Sequence, residues 1–235
     1  VAQDTTGSRV ALVRHHPLGT VTVVENRRVP LRHAPGMSLV SPELPPPQAA
    51  AFVDGQELLP VTRYQGDPQD LGFLEAMPSA LPYALLEDPR VLTLPAGTGL
   101  PVLRALALGA ARVEAVEAHP LLPWLTEEPY RGFSGAPFSD PRVRLHRDQP
   151  RGFLHRAGGP YHLVHLGMGG TAAGAGATAV NHLLTVETLA AALERLAPGG
   201  LLAEDFPLRL PPRTGLKVLD TARDALASRG VDDPA

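Results

Sequence analysis

An α/β fold, a parallel sheet with helices on both faces and a small β-hairpin module ahead of it, is predicted by three features of the chain. Residues 91 to 120, VLTLPAGTGLPVLRALALGAARVEAVEAHP, spell a buried strand, a glycine turn, a helix and a second strand ending in an acid,. From residue 91 onward strand-like and helix-like stretches alternate, the pattern of βαβ units with right-handed crossovers. Residues 9 to 40, by contrast, are strand-like throughout, so the chain divides into an N-terminal β module with a proline-rich connection over 1–70 and a nucleoside-binding domain over 71–235,.

In the N-terminal part, ALV, TVTVVE and VPLRHA read as strands, separated by breaks at His16-Pro17-Leu18-Gly19 and Asn26-Arg27-Arg28,. SPELPPPQ opens a proline-rich connection over residues 41–70, with a short apolar piece around Ala51 to Val53,. Phe73 to Leu86, interrupted by Pro78 and Pro82, predicts a short helix. Val91 to Leu94 has no alternation, as expected of a strand covered on both faces, and Pro95-Ala96-Gly97-Thr98-Gly99 breaks it,. Pro101 stands near the start of the next helix, where a missing N–H costs little, and Gly109 closes it,.

Val113 to Val116 returns to the sheet. Leu121 to Glu127 predicts a helical turn and 130–138 an irregular loop. Val143 to His146 is the third strand, Gln149 to His155 the next helix, and Tyr161 to Leu166 the fourth strand, entering Gly167 and an alanine-glycine loop. Leu189, Ala192, Leu193 and Leu196 mark an amphipathic helix over Thr185 to Leu196, ended by Pro198-Gly199-Gly200,. Leu201 to Ala203 is the fifth strand and Leu216 to Leu226 the last helix.

This layout names a site. In open parallel sheets ligands lie beyond the carboxyl ends of the strands, so Pro95, Gly97, Thr98, Gly99, Glu117, Asp148 or Gln149, and Gly167 line one cleft,. Glu117 follows Gly97 by the length of one helix plus one strand, the place where an acid accepts hydrogen bonds from both hydroxyls of a ribose. The competing reading is an ordinary βαβ turn with a solvated carboxylate at a strand end.

Composition limits the alternatives. With 235 residues, a hydrophobic fraction of 44% and a net charge of -3, the chain is globular and has no electrostatic case for nucleic acid or an anionic membrane,. It has no cysteine, which excludes disulfides, zinc thiolates and thiol nucleophiles,. Ala157 to Val186 carries no Asp, Glu, Lys or Arg, but its glycines, His162, His165 and Asn181 make it too polar for a membrane span,. Nine histidines include no pair at helical spacing with a third ligand nearby, so no metal is expected,. No serine stands in G-x-S-x-G, and Trp124 reads as packing,.

The strings DPRVLTLPAGTGLPVLRALALGAARVEAVEAHP, DPRVRLHRDQPRGFL, YHLVHLG and TVETLAAALERLAPGGLLA together resemble the core of spermidine synthases, polyamine aminopropyltransferases of the Rossmann-like S-adenosylmethionine-dependent methyltransferase fold. The resemblance covers roughly residues 70 to 230. PLGTVTVVENRRVPLRHAPGMSLV is similar to the small β module of the same enzymes, above all the form fused to membrane regions in bacterial spermidine synthase-like proteins. The resemblance implies S-adenosylmethionine or its decarboxylated form as co-substrate, Glu117 on its ribose, residues 148 to 149 near the adenine amine, a polyamine as a candidate second substrate, and a cytoplasmic domain. It also implies two more strands after the last helix, whereas this sequence ends at Gly230-Val-Asp-Asp-Pro-Ala. The expectation is therefore a homodimer formed through an unpaired sheet edge, or a piece of a larger membrane-fused protein.

Several residues depart from the family. Thr98 stands where an acid holds the amine end of the donor, Gly167 where an aspartate helps deprotonate the attacking amine, and His162 where an earlier aspartate is common. The acid ahead of the adenine-site helix is either Asp148, shifted by one, or the neutral Gln149. Catalytic residues are thus unassigned. Glu75, Glu187, Glu204 and Asp205 are candidate replacements, with solvated or helix-capping roles as the alternative,. Three classes stay open: an aminopropyltransferase-like enzyme, a methyltransferase, and a degenerate nucleoside-binding or structural domain.

Overall fold

A computed structural model describes residues 7–56, 58–156, 158–167, 183–206 and 211–231. Alternating polar and β-branched residues at the N-terminus form two antiparallel strands, β1 (Ser8–His16) and β2 (Gly19–Asn26), joined by a turn at Pro17-Leu18. The sheet continues through β3 (Gln48–Val53) and β4 (Leu58–Thr62), giving four strands in sequence order. Both later strands lie in the stretch expected to be a proline-rich connection. VPLRHA, expected as a third strand, contributes only a bridge from Leu31 to Gln48. The alanines of QAAAFV explain the difference: their low strand propensity hides a strand that is specified by burial, with Ala49 and Ala51 packed against Val21, Val23 and Val61,.

Phe73 to Leu86, expected as one helix, is instead 3₁₀ turns at Pro68–Ala76 and Pro78–Ala80 followed by a single α-turn, α1 (Leu81–Ala84). Pro78 and Pro82 lack the N–H groups that a continuous helix would use. The second sheet is parallel throughout, in the order β7 (Val143–Arg147), β6 (Arg112–Glu117), β5 (Arg90–Leu94), β8 (Tyr161–Leu166), β9 (Leu196–Glu204). Helices α2 (Leu100–Ala107), α3 (Leu121–Glu127), α4 (Arg131–Ser134), α5 (Pro150–Arg156), α6 (Val186–Glu194) and α7 (Arg213–Ala227) complete the chain.

The parallel sheet is covered on both faces. Val91, Val113 and Leu163 pack with Tyr83 and with Ala105 of α2 on one side. On the other, Leu92, Leu94, Val116, Val164 and Leu166 pack with Phe153 and Leu154 of α5, Leu189 and Ala192 of α6 and Ala225 of α7. Each such fully buried aliphatic side chain contributes about 1.5–3 kcal/mol relative to exposure.

The amphipathic helix begins with Thr185, whose hydroxyl accepts from the Thr188 N–H, and ends at Glu194. The glycine pair at 199–200 therefore does not stop that helix but lies inside β9, where the pairing with β8 slips between Tyr161 and Leu163. The alanine-glycine loop expected after Gly167 falls outside the described residues. No helix among the described residues is long and apolar enough to cross a membrane.

The two sheets share a core. Leu122 and Leu125 of α3 pack into the cluster formed by Val21, Val23, Ala49, Ala51 and Val61 of the first sheet. The Tyr130 hydroxyl donates to Glu25 at 2.6 Å, and the Arg14 guanidinium lies 5.3 Å from the centre of the Trp124 ring.

Candidate functional site

β5 ends in an apolar run that the turn at 95–99 must reverse within five residues. Gly97 (φ +55°) and Gly99 (φ +96°) take left-handed conformations that side chains resist,. The two glycines meet different surroundings. A Cβ at Gly99 would lie 2.6 Å from Pro137 and 3.2 Å from the Phe138 ring, so this glycine permits close packing. A Cβ at Gly97 would meet only the Leu59 side chain, at 3.8 Å, leaving space above the turn.

Glu117, the last residue of β6, is buried above this turn, with 4% of its surface exposed. Its Oε2 accepts from the Gly97 N–H at 2.8 Å and its Oε1 from the His119 N–H at 2.7 Å. Burial raises the carboxyl above its usual range, against the opposing pull of the His119, Gly97 and Ala118 N–H groups,. A carboxylate offers about four acceptor positions, so after these three N–H groups at least one remains for a ligand,.

Thr98 has a role that the sequence did not suggest. Its hydroxyl donates to the Pro60 carbonyl at 2.7 Å, tying the glycine turn to β4. Thr98→Val should therefore lower stability by about 1–2 kcal/mol, because a buried carbonyl loses its donor without loss of volume; thermal unfolding checks this.

The remaining expected residues divide. Gly167 follows β8 beside the turn, its N–H donating to the Leu94 carbonyl at 3.0 Å. A Cβ there would lie 3.6 Å from the Pro95 carbonyl, an ordinary contact, so the position has room for a side chain. Asp148 follows β7 one strand beyond Glu117, but its carboxylate is engaged, accepting from the Gln149 N–H at 2.8 Å and pairing with Arg156. Pairing with Arg156 holds it below the usual carboxylate range. Gln149 immediately precedes α5. The structure thus brings Pro95, Gly97, Thr98, Gly99, Glu117 and Gly167 to one edge and leaves the choice between Asp148 and Gln149 open.

A buried ionic cluster lies on the α2 face of the sheet. Arg104 of α2 reaches Asp205 at 3.1 Å and the His165 ring at 3.2 Å, and His165 Nε2 lies 3.1 Å from the same Asp205 oxygen. Burial, and then the Arg104 charge, lowers the His165 pKa, so a neutral ring donates from Nε2 to Asp205. Burial opposes the Asp205 charge, but His165 and Arg104 outweigh it and hold the carboxyl below its ordinary range. Arg104 within an apolar helix and His165 within an apolar strand were the available signals. No single motif joins residues 61 and 101 positions apart.

Glu204 differs from its neighbour. It ends β9 on the opposite face from Asp205, half-buried, with no hydrogen-bond donor among the described residues. Burial, reinforced by the Asp205 charge, pushes its carboxyl up to about 7. An acid whose folded pKa is raised carries no penalty below about 4.5 and the full penalty above about 7,. Glu204→Gln should therefore stabilise the protein by about 1 kcal/mol at pH 8, after allowance for solvent screening, and leave it unchanged at pH 4. Chemical denaturation at the two pH values measures the difference.

A separate cavity of about 530 Å³, lined by Tyr64, Leu103, Leu106, Arg131, Pro137 and Asp140 among others, includes neither Gly97 nor Glu117. Among the described residues no three His, Asp or Glu side chains gather as a metal site.

Comparison with known proteins supports the fold. No protein-family model matches the chain, and no curated protein matches it. Among solved structures, a spermidine synthase in complex with the transition state analogue AdoDATO aligns over 94% of this chain and 64% of its own, with a TM-score of 0.61 at 15% identity. Spermidine synthase from Thermotoga maritima aligns over 93% and 63%, with a TM-score of 0.59 at 13% identity. A probable spermidine synthase from Corynebacterium glutamicum ATCC 13032 aligns over 83% and 63%, with a TM-score of 0.56 at 17% identity. The chain therefore has a spermidine synthase-like fold and spans less than two thirds of the length of these structures.

Proposed function

We propose that the chain is a transferase domain that binds a sulfonium nucleoside, S-adenosylmethionine or its decarboxylated form, over the turn at 95–99. The observation that carries this reading is Glu117, a buried carboxylate fixed over a glycine turn by the Gly97 and His119 N–H groups and retaining acceptor capacity,. A ribose hydroxyl is a donor suited to that capacity. With the ribose above β6, the sulfonium end of the donor extends across β5 towards β8, and an acceptor approaches over β8 and β9.

The reaction in this reading transfers an alkyl group from sulfur to a nucleophile, a polyamine amine being the candidate acceptor. The protein's part is to hold the donor's ribose, align the acceptor with the carbon next to sulfur, and remove the acceptor's proton. One observation favours methyl transfer as a second reading. Thr98 supplies no charge to hold the terminal amine of a decarboxylated donor and no repulsion against the carboxylate of S-adenosylmethionine, and its hydroxyl already serves Pro60.

Calorimetric titration separates these outcomes. Micromolar binding of methylthioadenosine and of decarboxylated S-adenosylmethionine supports aminopropyl transfer. Selective binding of S-adenosylmethionine and S-adenosylhomocysteine supports methyl transfer. No binding of any of the four at millimolar concentration overturns the proposal and leaves a structural domain.

A further inference from the structure

Asp205 divides its two carboxylate oxygens between two environments. Oδ2 takes both bonds of the buried cluster, from Arg104 at 3.1 Å and from His165 Nε2 at 3.1 Å. Oδ1 accepts from no group among the described residues. Buried side-chain atoms without a partner occur at Ser79, Tyr83, Thr93, Arg104 and Tyr161 but not at Asp205, so Oδ1 reaches the surface with its acceptor positions open,.

The sheet puts that oxygen on the ligand side. The Asp205 N–H donates to the Leu166 carbonyl at 2.9 Å, so Asp205 extends the β8 and β9 ladder one residue beyond Glu204 and stands level with Gly167. Strand alternation assigns positions 205, 167 and 117 to the face of α2, and the bond to Arg104 of α2 shows it directly for Asp205,. Adjacent strands lie about 4.8 Å apart, so Asp205 is one strand sideways from Gly167 and two from the glycine turn, on the side away from Glu117,. The other candidate acids lie elsewhere. Glu75 is exposed, Glu187 is exposed in the first turn of α6, and Glu204 leaves β9 on the opposite face, with its register partner Leu166 on the side of α5 and α6.

We propose that Asp205 is the acceptor-binding carboxylate of the cleft, its open Oδ1 receiving an ammonium group of an amine acceptor. The inference rests on the sulfonium-nucleoside reading above. Asp205 supplies from β9 a carboxylate that Gly167 does not supply from β8, and Arg104 and His165 are positioning residues that hold it by Oδ2. Burial opposes the Asp205 charge, but His165 and Arg104 hold the carboxyl below its ordinary range, so it is ionised at neutral pH. Such a group takes up a proton poorly and suits an ammonium that keeps its own, as at the non-reacting end of a diamine. Because Arg104 cancels the net charge of the pair, affinity comes from the directed contact at Oδ1 and not from a broad negative field,.

The test uses the intact chain saturated with methylthioadenosine, or with S-adenosylhomocysteine if only that nucleoside binds, and titrated by calorimetry with putrescine and with the four-carbon diol that has hydroxyls in place of both amines. Wild type binds putrescine at least about tenfold more tightly than the diol. In Asp205→Asn the donors Arg104 and His165 claim the amide oxygen and leave the amide NH₂ to the ligand. Putrescine then weakens about 10–100-fold and loses its preference over the diol, while nucleoside affinity stays within about twofold. Replacing Arg104 and Asp205 together by leucine leaves no unpaired charge, provides a folded variant where the single one is unstable, and abolishes the preference in the same way. Glu204→Gln, on the opposite face, leaves putrescine affinity within about twofold. Equal binding of diamine and diol by wild type, unchanged putrescine affinity in Asp205→Asn or in the double variant, or an equal loss in Glu204→Gln overturns the role of Asp205 while the nucleoside reading stands. Failure of wild type to bind any of the four nucleosides named above overturns both.

Discussion

Replacing Arg104 by leucine should lower the stability of the protein by about 3–5 kcal/mol, enough to leave much of it unfolded at 37 °C. Arg104 is 8% exposed, and among the described residues its guanidinium is the only cation bonded to Asp205 and His165. Without it, Asp205 keeps a charge in a largely buried place with one neutral donor. Double replacement of Arg104 and Asp205 by apolar residues should recover most of the loss, because no unpaired charge then remains. Denaturant unfolding of the single and double variants measures the coupling. The cluster also sets a response to acid. His165, lowered by burial, contributes stability that is present above about 6.5 and declines as pH falls below it; Asp205, lowered by His165 and Arg104, extends the decline below its ordinary value near 3.8,. Glu204 works in the opposite direction between about 7 and 4.5, so the acid response of His165 is clearest in Glu204→Gln,.

Glu117→Ala should cost about 2–4 kcal/mol of stability and weaken nucleoside binding about 10–100-fold. The stability loss follows from the Gly97 and His119 N–H groups, buried beside a carboxylate that is no longer there, at about 1–3 kcal/mol each,. In the proposed nucleoside complex the affinity loss follows from removing a charged acceptor, about 1.5–3 kcal/mol. Thr98→Val disturbs the same turn without touching Glu117, so comparing the two variants by calorimetry separates misfolding of the turn from loss of the proposed ligand contact.

The parallel sheet was legible because its strands are short apolar runs punctuated by glycine and proline. Tyr161 to Leu166 was read to its exact bounds, and β5 to within one residue. The first sheet was half legible. β1 and β2 alternate as hairpin strands do, but QAAAFV and LLPVT carry an alanine run and a proline, and their burial against α3 is a tertiary fact that local propensity does not encode,. The same limit applies to the site. Gly97 and Glu117 sit at a spacing fixed by one helix and one strand, so their approach at the sheet edge was legible, though the hydrogen bond between them was not. The partner of Thr98 could not, because Pro60 lies 38 residues away in a strand that the sequence concealed. Glu204 and Asp205 are adjacent in the chain, and only strand alternation, which sends consecutive side chains to opposite faces, separates the paired acid from the unpaired one,.

The tie from Thr98 to Pro60 has an optical consequence. The turn is hydrogen-bonded to β4, and β4 shares its core with α3, which carries the chain's single tryptophan. Trp124, with the Arg14 guanidinium 5.3 Å from its ring centre, should therefore change its emission when a ligand moves the bend at 95–99, which an unlabelled fluorescence titration checks.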